Sequence, residues 1–413
     1  MNILFIHGNY PAQFRHMASA LGKQGMHDVR FLTALADAVQ NPIAGVGIEL
    51  YNDVEPTAGL DAHCQATDQA IRRGLVIQTK LASLAAEGFA PRLVIVHGGN
   101  GLALLVKQLI PSCTLIGYFE WYFHESSSQM LLDQTDRFGH NLVTLRNLSM
   151  AGEVLQCDAA VVPTRWQAQQ FPEGIRQRLQ IVFDGVDTSF FQPPDRPYRQ
   201  EGLSLSGEYA QLDLAAGEPL LSYATRGMEP LRGFPQFMRA LPAVLAALPS
   251  CRVLIGGRDR SAYGCAAPSH GGSWKQMLLE ELGDFPGRER IVFTGLLNYG
   301  EYRKLLHRSW LHCYFSRPYV TSWSLFEAVA CGTPILTNHG EATTGMLPCL
   351  AANAVDLDCS AAELAGSIVE QLQAVEQKTC LNRLEESFTL AACQERWEQL
   401  INEALSKQSE VLN

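Results

Sequence analysis

Short apolar runs that end in a polar turn and lead into a helical stretch recur through all 413 residues. Residues 2–7, 29–33, 92–97, 114–119, 157–164 and 179–183 are such runs in the first part. Residues 220–225, 252–256, 290–295, 311–315 and 334–337 repeat the theme in the second. The runs are too continuously apolar for a sheet with one wet face, so they read as parallel strands buried on both sides. Strand-to-helix units of this kind are readable on either side of a junction near Thr188. Alternation of this kind predicts two doubly wound α/β domains facing across a cleft, with ligands at the carboxyl ends of the strands. The length also exceeds one ordinary core. The boundaries expected are 1–188 and 189–393, with the polar, proline-rich residues 192–197 as linker.

Charge and cysteine usage exclude several classes. A formal net charge of −10 argues against nonspecific binding to nucleic acid or anionic lipid. Eleven cysteines are scattered singly, without Cys-x-x-Cys or zinc-ligand spacing, as expected of thiols in a reducing, cytoplasmic setting. No apolar run is long enough to span a bilayer, which leaves room for a peripheral position at the inner membrane face. No Gly-x-Gly-x-x-Gly follows the first strand, so a dehydrogenase is not expected.

Strand ends supply the candidate site. Gly8 and Asn9 follow the first strand, His97 and Asn100 the run at 92–97, and Glu120 and His124 the run at 114–119. His97, Glu120 and His124 are thereby candidates to meet a substrate; equally, Glu120 is placed to order the aromatic loop after it. Arg226 and Arg232 sit in the turn after 220–225 and suit phosphate oxygens. Residues 257–273 form a Ser-, Gly- and Pro-containing insertion, expected to be a mobile flap.

Residues 316–341, SRPYVTSWSLFEAVACGTPILTNHGE, read as a loop, a short helix, a glycine stop and a strand. Ser322 and Ser324 are N-cap candidates, and Gly332 with Pro334 ends the helix. A helix starting at a strand's carboxyl end turns free N–H groups outward, a natural phosphate seat. Ser324 and Glu327 also fit a capping box, in which Glu327 would only fold back on its own helix start.

The segment WSLFEAVACGTPILTNHGE resembles the donor-binding segment of the large retaining glycosyltransferase family numbered four, of the GT-B fold. FIHGNYPAQFRHMASAL and PYVTSWSLFEA resemble a bacterial subgroup of it, and the segment starting Asp184-Gly-Val-Asp resembles its interdomain junction. The resemblance implies that Glu327 holds the donor ribose, with Gly8, Tyr319, Thr321, Ser322, Trp323, Ser324 and Glu341 facing diphosphate or sugar. Tyr319 stands where the common pattern has the first of two glutamates, and Glu120 where many relatives have a histidine. Arg226 and Arg232 match the spacing of two cations at the diphosphate; Asn9, His97, Asn100 and His124 fall on the acceptor side. A final helix, 394–413, is expected to cross back to the first domain.

The implied activity is transfer of a sugar from a nucleotide sugar to a hydroxyl acceptor, with retention and with no obligatory cofactor or metal. The acceptor is left open among glycans, lipid-linked saccharides, small metabolites and proteins. The alternatives are a nucleotide-sugar epimerase of the same architecture and a noncatalytic nucleotide-sugar-binding scaffold.

Overall fold

A computed structural model of the protein describes residues 1–124, 139–195, 198–374 and 383–412. Arg196 and Pro197 of the expected linker lie outside the described residues. The described residues divide into two compact units, one holding 1–124, 139–185 and 387–412, the other the residues between 186 and 386. Both are built on a parallel sheet, as the recurring apolar runs require.

In the first unit seven strands are β1 (Asn2–His7), β2 (Asp28–Thr33), β3 (Val46–Leu50), β4 (Leu93–His97), β5 (Thr114–Tyr118), β6 (Ala159–Val162) and β7 (Leu179–Ile181). They lie in the order β3-β2-β1-β4-β5-β6-β7, with every pair parallel. Side chains of a strand alternate between faces, so Ile3 and Phe5 enter one core and Leu4 and Ile6 the other. Helix α1 (Arg15–Lys23) covers the first face through Met17, Ala18 and Leu21, preceded by a 3-10 turn at Ala12–Phe14. Helix α2 (Ala62–Ala86), capped by the Asp61 carboxylate on the amide of His63, covers the second through Ile77, Leu81 and Leu84. Helix α3 (Leu148–Gln156) packs beyond β5 and β6.

The C-terminal helix Leu390–Leu412 belongs to this unit as well. Trp397, Leu400, Ile401 and Ala404 enter the core beside Phe5, and the indole of Trp397 stacks on Tyr118 at 6.3 Å.

The second unit carries a hairpin of β8 (Leu203–Ser206) and β9 (Gln211–Leu214), which the apolar runs did not announce. Its main sheet comprises β10 (Leu220–Gly227), β11 (Arg252–Arg258), β12 (Ile291–Gly295), β13 (Leu311–Cys313), β14 (Ile335–Asn338) and β15 (Ala354–Val355), in the order β12-β11-β10-β13-β14-β15. All its pairs are parallel. Helix α4 (Phe234–Ala247) buries Phe234, Phe237, Leu241 and Val244 on one face, against Leu221, Tyr223 and Val253. Helix α5 (Trp323–Ala330) follows β13 and leads to β14. Among the described residues no helix is long and apolar enough to cross a membrane.

Two local expectations change. The strand-to-helix alternation calls for a helix after the run at 92–97, yet it is confined to Val106–Leu109. Gly101 has φ +103°, and a Cβ there would stand 2.0 Å from the carbonyl oxygen of Ala70, so close packing on α2 shapes the chain before a helix can start. The insertion at 257–273 is pinned rather than loose. The carboxylate of Glu229, fully buried, accepts the amides of Ala262, Tyr263 and Gly264 at 3.1, 3.0 and 2.7 Å. The indole of Trp274 closes the segment's far end on the carbonyl of Cys265 at 2.9 Å.

Candidate active site

At the carboxyl edge of the first sheet, four side chains form a connected polar chain. The backbone amide of Asn9 donates to Nδ1 of His7 at 2.8 Å, and Nε2 of His7 lies 2.8 Å from Oε1 of Gln13. Nε2 of Gln13 donates to Oε1 of Glu120 at 2.7 Å. Oε2 of Glu120 lies 3.2 Å from Nε2 of His97, whose ring is 4.3 Å from that of His7. The main chain of Glu120 is fixed in turn, its carbonyl accepting from Nε2 of Gln167 at 2.8 Å. The Glu120 side chain keeps 23% of its surface exposed. Tyr118, two positions before it, donates its hydroxyl to Asp184 at 2.9 Å; burial first, then the Asp184 and Glu120 charges, hold this phenol protonated.

The turn carrying Asn100 is shaped from behind by Glu153 of α3. This fully buried carboxylate accepts the amides of Gly99, Gly101 and Ala103 at 3.0, 2.8 and 3.0 Å. Burial raises its pKa to about 7 against the opposing pull of those amides. Oδ1 of Asn100 is buried with no hydrogen-bond partner among the described residues. His124 turns to Oε1 of Gln170 at 2.7 Å, so it is not part of the Glu120 chain shown by these bonds. The carbonyl of Gly8 accepts from the Thr33 hydroxyl at 3.3 Å.

In the second unit the ladder between β10 and β11 shifts register between Ala224 and Gly227, and Arg226 lies in this irregular stretch. Its Nη1 donates to the phenol of Tyr263 at 3.0 Å. A Cβ on Gly227 would stand 2.5 Å from the carbonyl of Arg260, so the pinned insertion lies directly on the arginine turn. The ring of Tyr263 meets that of Tyr319 at 5.5 Å. Arg232 is only 6% exposed, donating to Tyr314 at 3.2 Å, Ser316 at 2.7 Å and the carbonyl of Val320 at 3.0 Å. Burial opposes its charge, but the phenols of Tyr314 and Tyr263 and the Glu229 carboxylate outweigh that and raise its pKa. Arg232 therefore braces the loop before α5, while Arg226 stands at its surface.

Ser322 is the N-cap of α5, its hydroxyl accepting from the Ser324 amide at 3.4 Å and meeting the Ser324 hydroxyl at 2.8 Å. The hydroxyl of Thr321 ties this loop to the carbonyl of Ala342 at 2.8 Å. With Ser322 as cap, Ser324 lies inside the helix and the capping box with Glu327 does not form. The Glu327 carboxylate makes no hydrogen bond or ion pair with the described residues, and burial raises its pKa to about 7. Nε1 of Trp323 is likewise buried without a partner among the described residues. Glu341 is exposed in the loop after β14.

Several members of these networks carried no signal in the sequence. Gln13, Gln167 and Glu153 lie in or beside helices, where a polar residue looks like solvated surface. Tyr263 is hidden in a segment of loop composition. Their importance comes from long-range contacts that no local spacing encodes.

Residues 25–191 match the model of the Glycosyl transferase family 4 group. The D-inositol 3-phosphate glycosyltransferase of Mycobacterium marinum is 29% identical over 209 residues, 49% of this chain, and the chain spans 39% of that relative's length. Among solved structures, the sucrose-phosphate synthase of Thermosynechococcus elongatus superposes with a TM-score of 0.69 at 16% identity, covering 98% of this chain and 100% of that one. HepE of Anabaena, solved with UDP and glucose, gives 0.62 at 12% identity with coverage of 98% and 100%. Likeness at such identity establishes the fold, two Rossmann-like domains of the GT-B type.

Proposed function

We propose that this protein is a retaining glycosyltransferase that moves a sugar from a nucleotide-sugar donor to a hydroxyl acceptor. The observation that carries the reading is the cluster at the carboxyl edge of the second sheet. Two arginines, Arg226 and Arg232, and the Tyr263–Tyr319 pair gather after β10, β11 and β13. Parallel sheets bind ligands at that edge, and fixed guanidinium groups stabilise a leaving diphosphate. The family match over residues 25–191 and the Mycobacterium marinum relative support the same class.

In the proposed step the anomeric carbon's bond to the diphosphate oxygen breaks and its bond to the acceptor oxygen forms on the same face. The acceptor's proton passes to a departing phosphate oxygen. Arg226 meets the charge growing on that diphosphate, and Arg232 holds the loop in place behind it. Glu327, desolvated and without a protein partner among the described residues, accepts from the donor's ribose hydroxyls. Glu120 offsets positive charge at the anomeric centre. Among the described residues no group of three or more His, Cys, Asp or Glu is arranged to hold a metal. Activity that survives chelation is part of the proposal, as the family resemblance implies.

A thermal-shift screen against UDP, ADP, GDP and their sugar conjugates tests it. Stabilisation by one nucleobase series, followed by sugar transfer with that donor, is the expected result. Well-folded protein that responds to none of them would overturn the donor reading.

A further inference from the structure

We infer that Gln13 and His7 are positioning residues that set the charge and orientation of Glu120, an inference that rests on the proposed role of Glu120 in the transfer. The hydrogen-bond donors decide it. A backbone amide only donates, so the Asn9 N–H fixes Nδ1 of His7 as an acceptor. Neutral His7 then carries its proton on Nε2, which faces Oε1 of Gln13. With its oxygen held there, the amide of Gln13 can only present its NH2 group to Glu120.

Every donor in this chain points the same way, from the main chain after β1 toward the carboxylate. The last bond is short, 2.7 Å, as hydrogen bonds to ionised groups are. It favours the charged form of Glu120 and fixes one oxygen, leaving Oε2 beside His97. Among the described residues, the titratable groups facing Glu120 include His97 from the end of β4 and His7 from the end of β1, with Tyr118 behind it on β5. A carboxylate held in this way has no reorganisation left to do when positive charge develops near it.

The experiment is a double-mutant cycle on the full chain, reading nucleoside diphosphate release from UDP-glucose, ADP-glucose and GDP-mannose. Gln13→Leu is expected to lower kcat about tenfold, to leave the donor KM within about twofold, and to move the acidic limb of the pH profile upward. In a Glu120→Gln background the same change is expected to cost less than about twofold, because its target is already neutral. Losses that multiply in the double variant, or a rise in KM with no change in pH profile, would overturn the inference.

Histidine-selective 15N spectra give a readout that needs no donor, with His7 assigned by its loss in His7→Asn. Wild type is expected to show the Nε2-protonated tautomer and Gln13→Leu a mixture. A mixture already in wild type would sink the positioning chain, whereas a single tautomer with no diphosphate release from any donor would instead overturn the glycosyltransferase reading.

Discussion

Arg226 donates a hydrogen bond of 3.0 Å to the phenol oxygen of Tyr263, a residue 37 positions further along the chain. The bond exists because Glu229, three residues after Arg226, grips the three amides around Tyr263. One loop thereby builds its own neighbour, and the guanidinium is aimed before any ligand arrives.

Arg226→Ala is expected to weaken nucleoside diphosphate binding about tenfold, a charge-assisted bond at the low end of its range because the group is exposed. Tyr263→Phe keeps the cation and the ring, and is expected to stay within about twofold of wild type. Calorimetric titration of the two variants separates these outcomes, and equal losses would show that the phenol itself is a ligand contact.

Arg232 acts differently because it is buried. Removing its guanidinium takes a donor from Ser316 and the Val320 carbonyl and one of two from Tyr314, whose phenol keeps the amide of Ser322. Arg232→Ala is expected to destabilise the second domain by about 2–4 kcal/mol as well as to weaken donor binding. Denaturant unfolding checks the first part; an unchanged midpoint would show that the brace is not needed. Arg232→Lys keeps the charge but not the planar fork, and is expected to fall between.

Glu153 makes the first domain's stability depend on pH. Its folded pKa, about 7, lies above the ordinary 4.5, so the folded state binds its proton more tightly than the unfolded chain. That contribution is complete below about pH 4.5 and is lost as pH rises through about 7, on the order of 3 kcal/mol in all. Thermal midpoints of wild type against Glu153→Gln across this window measure it. A difference between the two that does not change with pH would show that Glu153 does not titrate there.

Glu327 sits at the same raised value for the same reason, desolvation, but with no hydrogen bond to its carboxylate among the described residues. A carboxylate that accepts from ribose hydroxyls binds best when ionised. Donor affinity is therefore expected to fall as pH drops from 8 toward 6, and Glu327→Gln to be about tenfold weaker and flat with pH. A wild-type affinity that ignores pH in this range would remove Glu327 from the ribose contact.

The strands of both sheets were legible because their apolar runs are long and their turns polar. Val46–Leu50 and Ala354–Val355 were not: both are edge strands, the first with a glycine inside it and only partial burial, the second only two residues long. The position of Glu120 was legible as a strand end, yet its partners were not: Gln13 lies 107 residues away, and nothing local distinguishes it from other helix-start polar residues. The tetrapeptide Ser324-Leu-Phe-Glu327 fitted a capping box, but Ser322 starts the helix two residues earlier and leaves Glu327 a full turn inside. The insertion at 257–273 had the composition of a loose flap. What holds it is Glu229, one buried carboxylate whose role depends on three amides outside its own segment.

The packing of Trp397, Leu400, Ile401 and Ala404 beside Phe5 and Tyr118 sets an order of events on the ribosome. The second domain's residues are complete before these four emerge, so it can close while the earlier-made sheet still lacks part of one face. The first domain is begun before the second and completed after it. Until the final helix docks, an apolar strip over β1 and β5 is open to solvent and to other nascent chains, and this is where chaperone capture or misassembly is expected to concentrate.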